Sequence, residues 1–244
     1  MNRSLNALWR GALLAACLTS TPASASVVIA TTRVIFPAPE TEVTVKLSHE
    51  GQHPSLVQAW IDDGRPQAPL DTLQLPFSLM PALFRLEPGK AQTLRLFHDG
   101  EALPSDRETL YWLNVLEVPP KASGNALQVS LRTRIKLLYR PVGLSGKAAD
   151  AHGLLTWRLL REGRQWHVQA HNPSPFFVNL GSLSLRQGER SLEGTPTHLP
   201  PLSSTRFTFE GAGGAGQPAS QVIYTVIDDY GGVSKGSAVV DLSR

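Results

Sequence analysis

The stretch NALQVSLRTRIKLLYRP, residues 125–141, decides the fold of this chain. Its apolar side chains fall on alternate positions, at Leu127, Val129, Leu131 and Ile135. Polar and charged residues occupy the positions between them, and a period of two is the period of a β-strand with one apolar face. The stretch therefore predicts one long strand.

The same alternation recurs on both sides of this stretch. Residues 43–47 and 93–97 alternate before it, and residues 156–159 and 221–227 form further strand-type runs after it. From residue 26 onward, no helical spacing of apolar residues is sustained. Because many short strands separated by turn residues are typical of immunoglobulin-like β-sandwiches, the sequence predicts an all-β chain.

Length and composition indicate two such sandwiches. The chain has 244 residues, enough for two domains of immunoglobulin size. Residues 142–153 are rich in Gly, Ala and Ser and lack alternation, which suits a bend between domains. We predict one sandwich over residues 26–141 and a second over residues 154–244.

Residues 1–25 have the pattern of a signal peptide. Two arginines precede a short apolar run at residues 11–18, and the Ala-Ser-Ala of residues 23–25 matches a signal-peptidase site. Cleavage there would give an exported protein. The competing interpretation is a lipoprotein box at residues 14–17, which would leave a lipidated Cys17. No later run is long enough for a spanning helix, so we expect no membrane insertion.

Composition and motifs argue against several classes of function. A net charge of +3 is too small for a nucleic-acid binder that works by general basicity. The GAGGAG run at residues 211–216 lacks the βαβ context of a nucleotide site and predicts a loop. The carboxylate pairs Asp62-Asp63 and Asp228-Asp229 adjoin turn residues and are expected to be solvated. We therefore expect no enzyme activity, cofactor, metal, nucleotide or nucleic acid.

Three features exceed a generic sandwich. The first is the stretch LPSDRETLYWLNVLEVPP at residues 103–120, in which a charged turn leads straight into an apolar strand. The strand at residues 125–141 could bury its apolar face in its own core, or it could be an edge strand that extends a partner's sheet. Arg33 lies inside the apolar run TTRVIF at residues 31–36. It could snorkel to the surface, or it could point inward with Lys136, in which case the two cations would need an anion.

Five stretches, in this order along the chain, together resemble the periplasmic pilus-assembly chaperones of the chaperone–usher pathway. That family has two immunoglobulin-like β-sandwich domains set at an angle, with a cleft between them. The resemblance therefore implies the same architecture and a periplasmic location for this chain. The stretches are TTRVIF (31–36), LPSDRETLYWLNVLEVPP (103–120), NALQVSLRTRIKLLYRP (125–141), NPSPFFVNL (172–180) and YTVIDDYGG (224–232).

The resemblance implies roles for particular residues. Arg33 and Lys136 match the two cations of the cleft that hold the C-terminal carboxylate of a pilus subunit in this family. Leu127, Val129 and Leu131 match the donor strand, whose side chains fill the open groove of a subunit that lacks its last strand.

The family also carries an ion network between its domains, and Glu108, Arg140 and Asp229 stand at its positions. We expect a surface network that fixes the domain angle and adds little stability. The short segment between Pro120 and Leu127, with no cysteine pair in the mature chain, resembles the short-loop subfamily that serves rod-type pili.

The implied function is a periplasmic chaperone that binds, folds and caps pilus subunits by donor-strand complementation and delivers them to an outer-membrane usher. It would need no nucleotide. The alternative is a structural pilus subunit or adhesin with immunoglobulin-like domains. Such subunits usually carry a cysteine pair and an aromatic residue near the C-terminus, and this chain ends Val-Val-Asp-Leu-Ser-Arg.

Overall fold

The computed structural model describes residues 26–69, 72–122, 124, 127–162, 165–210 and 220–240. The predicted signal peptide, with Cys17, and the predicted glycine-rich loop at residues 211–216 lie outside the described residues. No helix among the described residues is long and apolar enough to cross a membrane.

The described chain is almost entirely strand, as the alternating pattern predicts. One short 3₁₀ helix, Ala148–Leu154, separates two groups of strands. The first group is β1 (Val27–Ile29), β2 (Arg33–Pro37), β3 (Glu42–His49), β4 (Ser55–Asp62), β5 (Phe77–Met80), β6 (Leu83–Leu86), β7 (Ala91–His98), β8 (Thr109–Val118) and β9 (Leu131–Arg140). The second group is β10 (Thr156–Glu162), β11 (Gln165–Asn172), β12 (Val178–Gln187), β13 (Arg190–Glu193), β14 (His198–Leu199), β15 (Ser203–Thr208), β16 (Ser220–Ile227) and β17 (Val233–Val240).

The first group forms a two-sheet sandwich. One sheet has the order β1-β3-β7-β5 and the other has the order β2-β9-β8-β4-β6. Alternate residues of both sheets meet in one core, among them the fully buried Leu47, Leu94, Leu113 and Leu137. Strands β2 and β9 run parallel, whereas the other pairs are antiparallel, so β2 closes one end of the second sheet.

The second group forms a sandwich with its own core. A three-stranded sheet, β10-β11-β15, faces a sheet with the order β13-β12-β16-β17, and β14 pairs with β12. Val168, Leu185 and Val222 are fully buried between the sheets. The prediction of an all-β chain with two immunoglobulin-like sandwiches is therefore confirmed.

The 3₁₀ helix is a feature that the sequence does not predict. It begins within the expected bend of residues 142–153 and ends one residue beyond it, and its Ala151 is buried in the second core. Leu144 and Ala148 pack against the same core. Part of the segment expected to bend between the sandwiches therefore packs with the second one.

The strand predicted over residues 125–141 is shorter in the structure. It begins at Leu131, whose partner Glu117 is the last residue of β8 to pair with it. Strand β8 ends one residue later, at Val118, and is followed by Pro119 and Pro120. A proline has no backbone N–H to donate to a ladder. Residues 127–130 are consequently outside any strand.

Candidate functional site

Arg33 and Lys136 lie side by side at the junction of the two sandwiches. They are direct partners across the parallel pair β2–β9, so their side chains share one face of the sheet. Arg33 is 7% exposed, and its Nη1 donates a hydrogen bond of 3.0 Å to the Ile227 carbonyl oxygen in the second sandwich. Lys136 Nζ lies 5.5 Å from the ring centroid of Trp112. The two cations that the resemblance implied are therefore adjacent in the structure.

The electrostatics of this pair favour an anion. Burial and the neighbouring Arg33 charge lower the pKa of Lys136 to about 8. Burial also lowers the pKa of Arg33, although Asp229, Asp228 and Glu108 oppose that shift. Among the described residues, neither cation has a carboxylate within salt-bridge distance. Two adjacent, partly desolvated cations are stabilised by any negative group that enters beside them.

The second sandwich contributes aromatic and imidazole groups to the same place. The His198 ring centroid lies 6.1 Å from that of Trp112 and 5.7 Å from that of Phe177. Burial and the charge of Lys136 lower the pKa of His198. These three side chains were not identified from the sequence, because aromatic and histidine positions carry no signal until the two sandwiches are brought together.

Glu108, Arg140 and Asp229 form the network that the resemblance implied. Arg140 donates from Nε to Glu108 Oε1 at 2.6 Å and from Nη2 to Asp229 Oδ2 at 2.8 Å. Glu108 Oε2 accepts the backbone N–H of Phe177 at 2.7 Å, and the Glu108 N–H donates to the Pro175 carbonyl at 2.9 Å. Arg140 therefore bridges the two sandwiches.

The expectation of a surface network is wrong. The Glu108 side chain is completely buried, and those of Arg140 and Asp229 are only 24% and 21% exposed. Burial raises the pKa of Glu108, whereas Arg140 and the Phe177 N–H oppose that shift. Because removing one partner of a buried ion pair leaves an uncompensated charge, loss of one member of this network should lower stability as well as disturb the geometry.

A tight turn positions Asp229 for this contact. Asp228 Oδ1 accepts the backbone N–H groups of Tyr230 and Gly232, at 2.9 and 2.7 Å. Gly231 has a φ of +88°, a conformation that a side chain would strain, so glycine suits this position. The turn expected to be solvated thus presents Asp229 to the first sandwich.

The proposed donor residues lie at the far end of β9. Leu127 is 93% exposed, Val129 69% and Leu131 43%. We call residues 127–131 the arm. Strand β2 pairs with β9 only from Lys136 onward, so the edge of β9 between residues 131 and 135 has β8 on one side and no strand among the described ones on the other. An open edge with exposed apolar side chains can accept a strand of another protein.

The polar face of β9 is fixed rather than freely solvated. Arg134 Nε donates to Asp62 Oδ2 at 3.1 Å, and its guanidinium carbon lies 4.1 Å from the Trp112 ring centroid. Arg132 donates to Asn114 Oδ1, which belongs to β8. Asp62 is 1% exposed, so the expectation of a solvated carboxylate there is wrong. These contacts anchor β9 from one face and hold its open edge in place.

The geometry defines a class of protein: two immunoglobulin-like sandwiches joined by a buried ion network, with a pair of cations at their junction and an open strand edge. Two family models match the chain. Residues 26–145 match "Pili and flagellar-assembly chaperone, PapD N-terminal domain", and residues 150–238 match "Pili assembly chaperone PapD, C-terminal domain". The chain therefore belongs to the pilus-assembly chaperone family.

Individual relatives agree with this assignment. Chaperone protein FimB/FhaD of Bordetella pertussis is 48% identical over 248 residues, which cover 98% of this chain and 97% of that protein. The probable fimbrial chaperone YadV of Escherichia coli is 34% identical over 90% of this chain and 92% of its own. These relatives favour a chaperone over the alternative of a structural subunit or adhesin.

Solved structures show the same architecture. The crystal structure of the YadV chaperone has a TM-score of 0.76 at 34% identity and covers 88% of this chain and 100% of its own. A complex of the Salmonella enterica SafA pilin with the SafB chaperone contains a chain with a TM-score of 0.72 at 31% identity, covering 90% of this chain and 98% of its own.

Proposed function

We propose that this protein is a periplasmic chaperone that binds, folds and caps pilus subunits by donor-strand complementation. The observation that carries the proposal is the open edge of β9, which continues into the exposed apolar arm and lies on the strand that also bears Lys136. A subunit sandwich that lacks a strand needs both a backbone partner and apolar side chains for its groove. This segment offers both.

The arm supplies the larger share of the binding free energy. Burying Leu127, Val129 and Leu131 in a subunit groove is worth about 1.5–3 kcal/mol for each side chain, or roughly 5–9 kcal/mol together. Association and ordering reduce this sum. The three side chains are exposed in the free chain, so most of this gain is realised only in the complex.

The cations would set the register of the captured subunit. Its C-terminal carboxylate would lie beside Arg33 and Lys136, where each charge-assisted hydrogen bond is worth roughly 1.5–3 kcal/mol. Because Arg33 is held by the Ile227 carbonyl and the backbone of Lys136 is held in β9, the carboxylate would bind at a defined place along that strand. A strand that ends there pairs with β9 in one register only.

The buried network would fix the relative position of the two sandwiches. Arg33 reaches from one sandwich to the other, so the anchor depends on the angle between them. Glu108, Arg140 and Asp229 connect the same two bodies. We infer that their role in function is to keep the carboxylate site assembled, besides their effect on stability.

The wider setting completes the proposal. The leader at residues 1–25 would direct the chain to the periplasm, with an outer-membrane usher as the recipient of the capped subunits. We propose a binding role without catalysis, nucleotide or cofactor. Among relatives, a chaperone bound to its pilin is known for SafB and SafA, and by analogy this chain would bind a pilin of its own system.

Periplasmic co-expression with candidate subunits encoded nearby tests the proposal. We expect a tagged chaperone to co-purify with one of them as a stable pair, and the subunit to be degraded or aggregated when the chaperone is absent. Recovery of every candidate subunit in equal, soluble yield without the chaperone would contradict the proposal.

A further inference from the structure

A small cavity lies against Arg33 on the side of the second sandwich. It has a volume of about 140 Å³, and its walls include Arg33, Asn179, Ile227, Asp229 and Tyr230. At about 30 Å³ per water molecule, this is room for roughly four waters or a small organic group. The cavity therefore adjoins the cation that the proposed function assigns to a subunit's carboxylate.

Two residues in the walls of this cavity each have a buried polar atom with no hydrogen-bond partner among the described residues. One is Arg33 Nε, a donor, and the other is Asn179 Oδ1, an acceptor. Both residues are more than nine-tenths buried, at 7% and 4% exposure. A buried polar atom without a partner is unfavourable and rare in native structures, so each of these atoms indicates a ligand group of complementary kind.

The position of Asn179 is fixed by its strand. It is the direct cross-strand partner of His198 in the pair β12–β14, so the two side chains lie on the same face. On the other sandwich, Arg33 and Lys136 are direct partners in the same way. His198 and Lys136 both lie near the Trp112 ring, with the His198 ring centroid and Lys136 Nζ at 6.1 and 5.5 Å from its centroid. Two residue pairs, one from each sandwich, thus face one another at the junction.

We propose that Asn179 binds the main chain of the last residue of the captured subunit. Arg33 Nε donates to the terminal carboxylate, and Asn179 Oδ1 accepts the backbone N–H of the same residue. This inference rests on the proposed function, because it names a second contact to the same chain end. A C-terminal residue carries both an acceptor and a donor, which complement one unpartnered donor and one unpartnered acceptor.

This contact explains why the site spans both sandwiches. The carboxylate alone could be held by the pair Arg33 and Lys136 on the first sandwich. A hydrogen bond from the adjacent N–H to Asn179 of the second sandwich would make the anchor specific for a chain terminus rather than for any carboxylate. In an aspartate or glutamate residue the N–H is separated from the side-chain carboxylate by at least one additional carbon, so it would fit this site less well.

Two small probes that differ in one group test the inference. N-acetylglycine carries a carboxylate and an adjacent N–H, whereas acetoxyacetate replaces that N–H by an ester oxygen with nearly the same shape. Binding of each to the full mature chain is followed by NMR at the Arg33 Nε–H resonance, up to about 100 mM. We expect the wild type to bind N-acetylglycine about fivefold to tenfold more tightly, the effect of about one hydrogen bond.

Variants locate the source of that preference. Asn179→Ala should bind both probes alike, at the level of acetoxyacetate in the wild type. Ser182→Ala, on the same strand but outside the cavity, should keep the wild-type preference. A wild type that binds both probes equally, or an Asn179→Ala variant that keeps the preference, would overturn the inference and leave the carboxylate anchor standing.

A different result would remove both ideas at this site. If neither probe shifted the Arg33 resonance in the wild type, the carboxylate anchor of the proposed function would fail, and with it the role of Asn179. Co-purification of a subunit with the chaperone would still test the donor arm separately. The wild-type comparison requires no variant to fold, so a poorly folded Asn179→Ala protein would not leave the inference undecided.

Discussion

Val129→Asp should abolish capture of a subunit while leaving the chaperone itself stable. Val129 is 69% exposed in the free chain, so a complex that buries it gains about 1–2 of the 1.5–3 kcal/mol available to a valine. The aspartate loses this gain and also places an unpaired polar group in an apolar groove, which costs about 2 kcal/mol or more. The complex should weaken by at least about 3 kcal/mol, or more than 100-fold.

The assay is periplasmic co-purification of the subunit, measured together with the thermal midpoint of the isolated chaperone. Val239→Asp is the matched control, because Val239 is 67% exposed and lies in β17 of the second sandwich, far along the chain from the arm. Both substitutions should change the free energy of unfolding by no more than about 0.5 kcal/mol, as exposed positions usually do.

The donor-strand reasoning is refuted if Val129→Asp retains the subunit as the wild type does. It also fails if the substitution lowers the thermal midpoint strongly, since that would place Val129 in the chaperone's own core. Loss of the subunit by the Val239 control would indicate a general effect of added charge.

Three further predictions concern the junction of the sandwiches. Arg33→Ala should yield a folded, soluble chaperone that no longer co-purifies with its subunit; unfolding would instead mean that the guanidinium is structural. Subunit binding should be strongest below pH 8 and weaken between about pH 8 and 9.5. Lys136 has a lowered pKa of about 8 in the free chain, so it loses its positive charge as the pH rises through this range, and a bound carboxylate favours its protonated form. Lys136→Arg should flatten this profile, measured as subunit retained on immobilised chaperone, and a wild-type profile already flat to pH 9.5 would count against Lys136 as a ligand. Arg140→Ala should lower the free energy of unfolding by about 3–5 kcal/mol, because it leaves Glu108 buried and unpaired. Adding Glu108→Gln should restore part of the loss in denaturant unfolding, and a loss below about 1 kcal/mol would show that the buried network adds little.

Alternation predicts the all-β fold well, but it does not predict where a strand ends. The pattern continues from Leu131 back to Leu127, yet the ladder stops because Pro119 and Pro120 end the neighbouring strand. A strand requires a partner for its backbone groups, and the pattern of one segment does not report whether its neighbour can supply them. Because the neighbouring strand ends, the backbone of the arm has no strand partner among the described residues and can pair with a captured subunit.

The site could be predicted only in part. Arg33 and Lys136 could be named from the resemblance, whereas the apolar run around Arg33 left open whether its side chain snorkels to the surface or points inward. The burial of Glu108 and of Asp62 could not be foreseen, because it depends on which elements pack over each carboxylate. Asn179 left one weak signal, a single polar residue within the apolar run FFVNL.

Residues 127–130 lie outside any strand in the free chain, and this affects the release of a captured subunit. Backbone freedom that a residue loses on capture costs about 1–2 kcal/mol. That cost opposes the hydrophobic gain from the arm, and it is recovered whenever the arm is displaced. This cost weakens the binding of the arm to the subunit and keeps the complex reversible. A competing strand that is already ordered loses less entropy on binding, so it can replace the arm without an external source of energy.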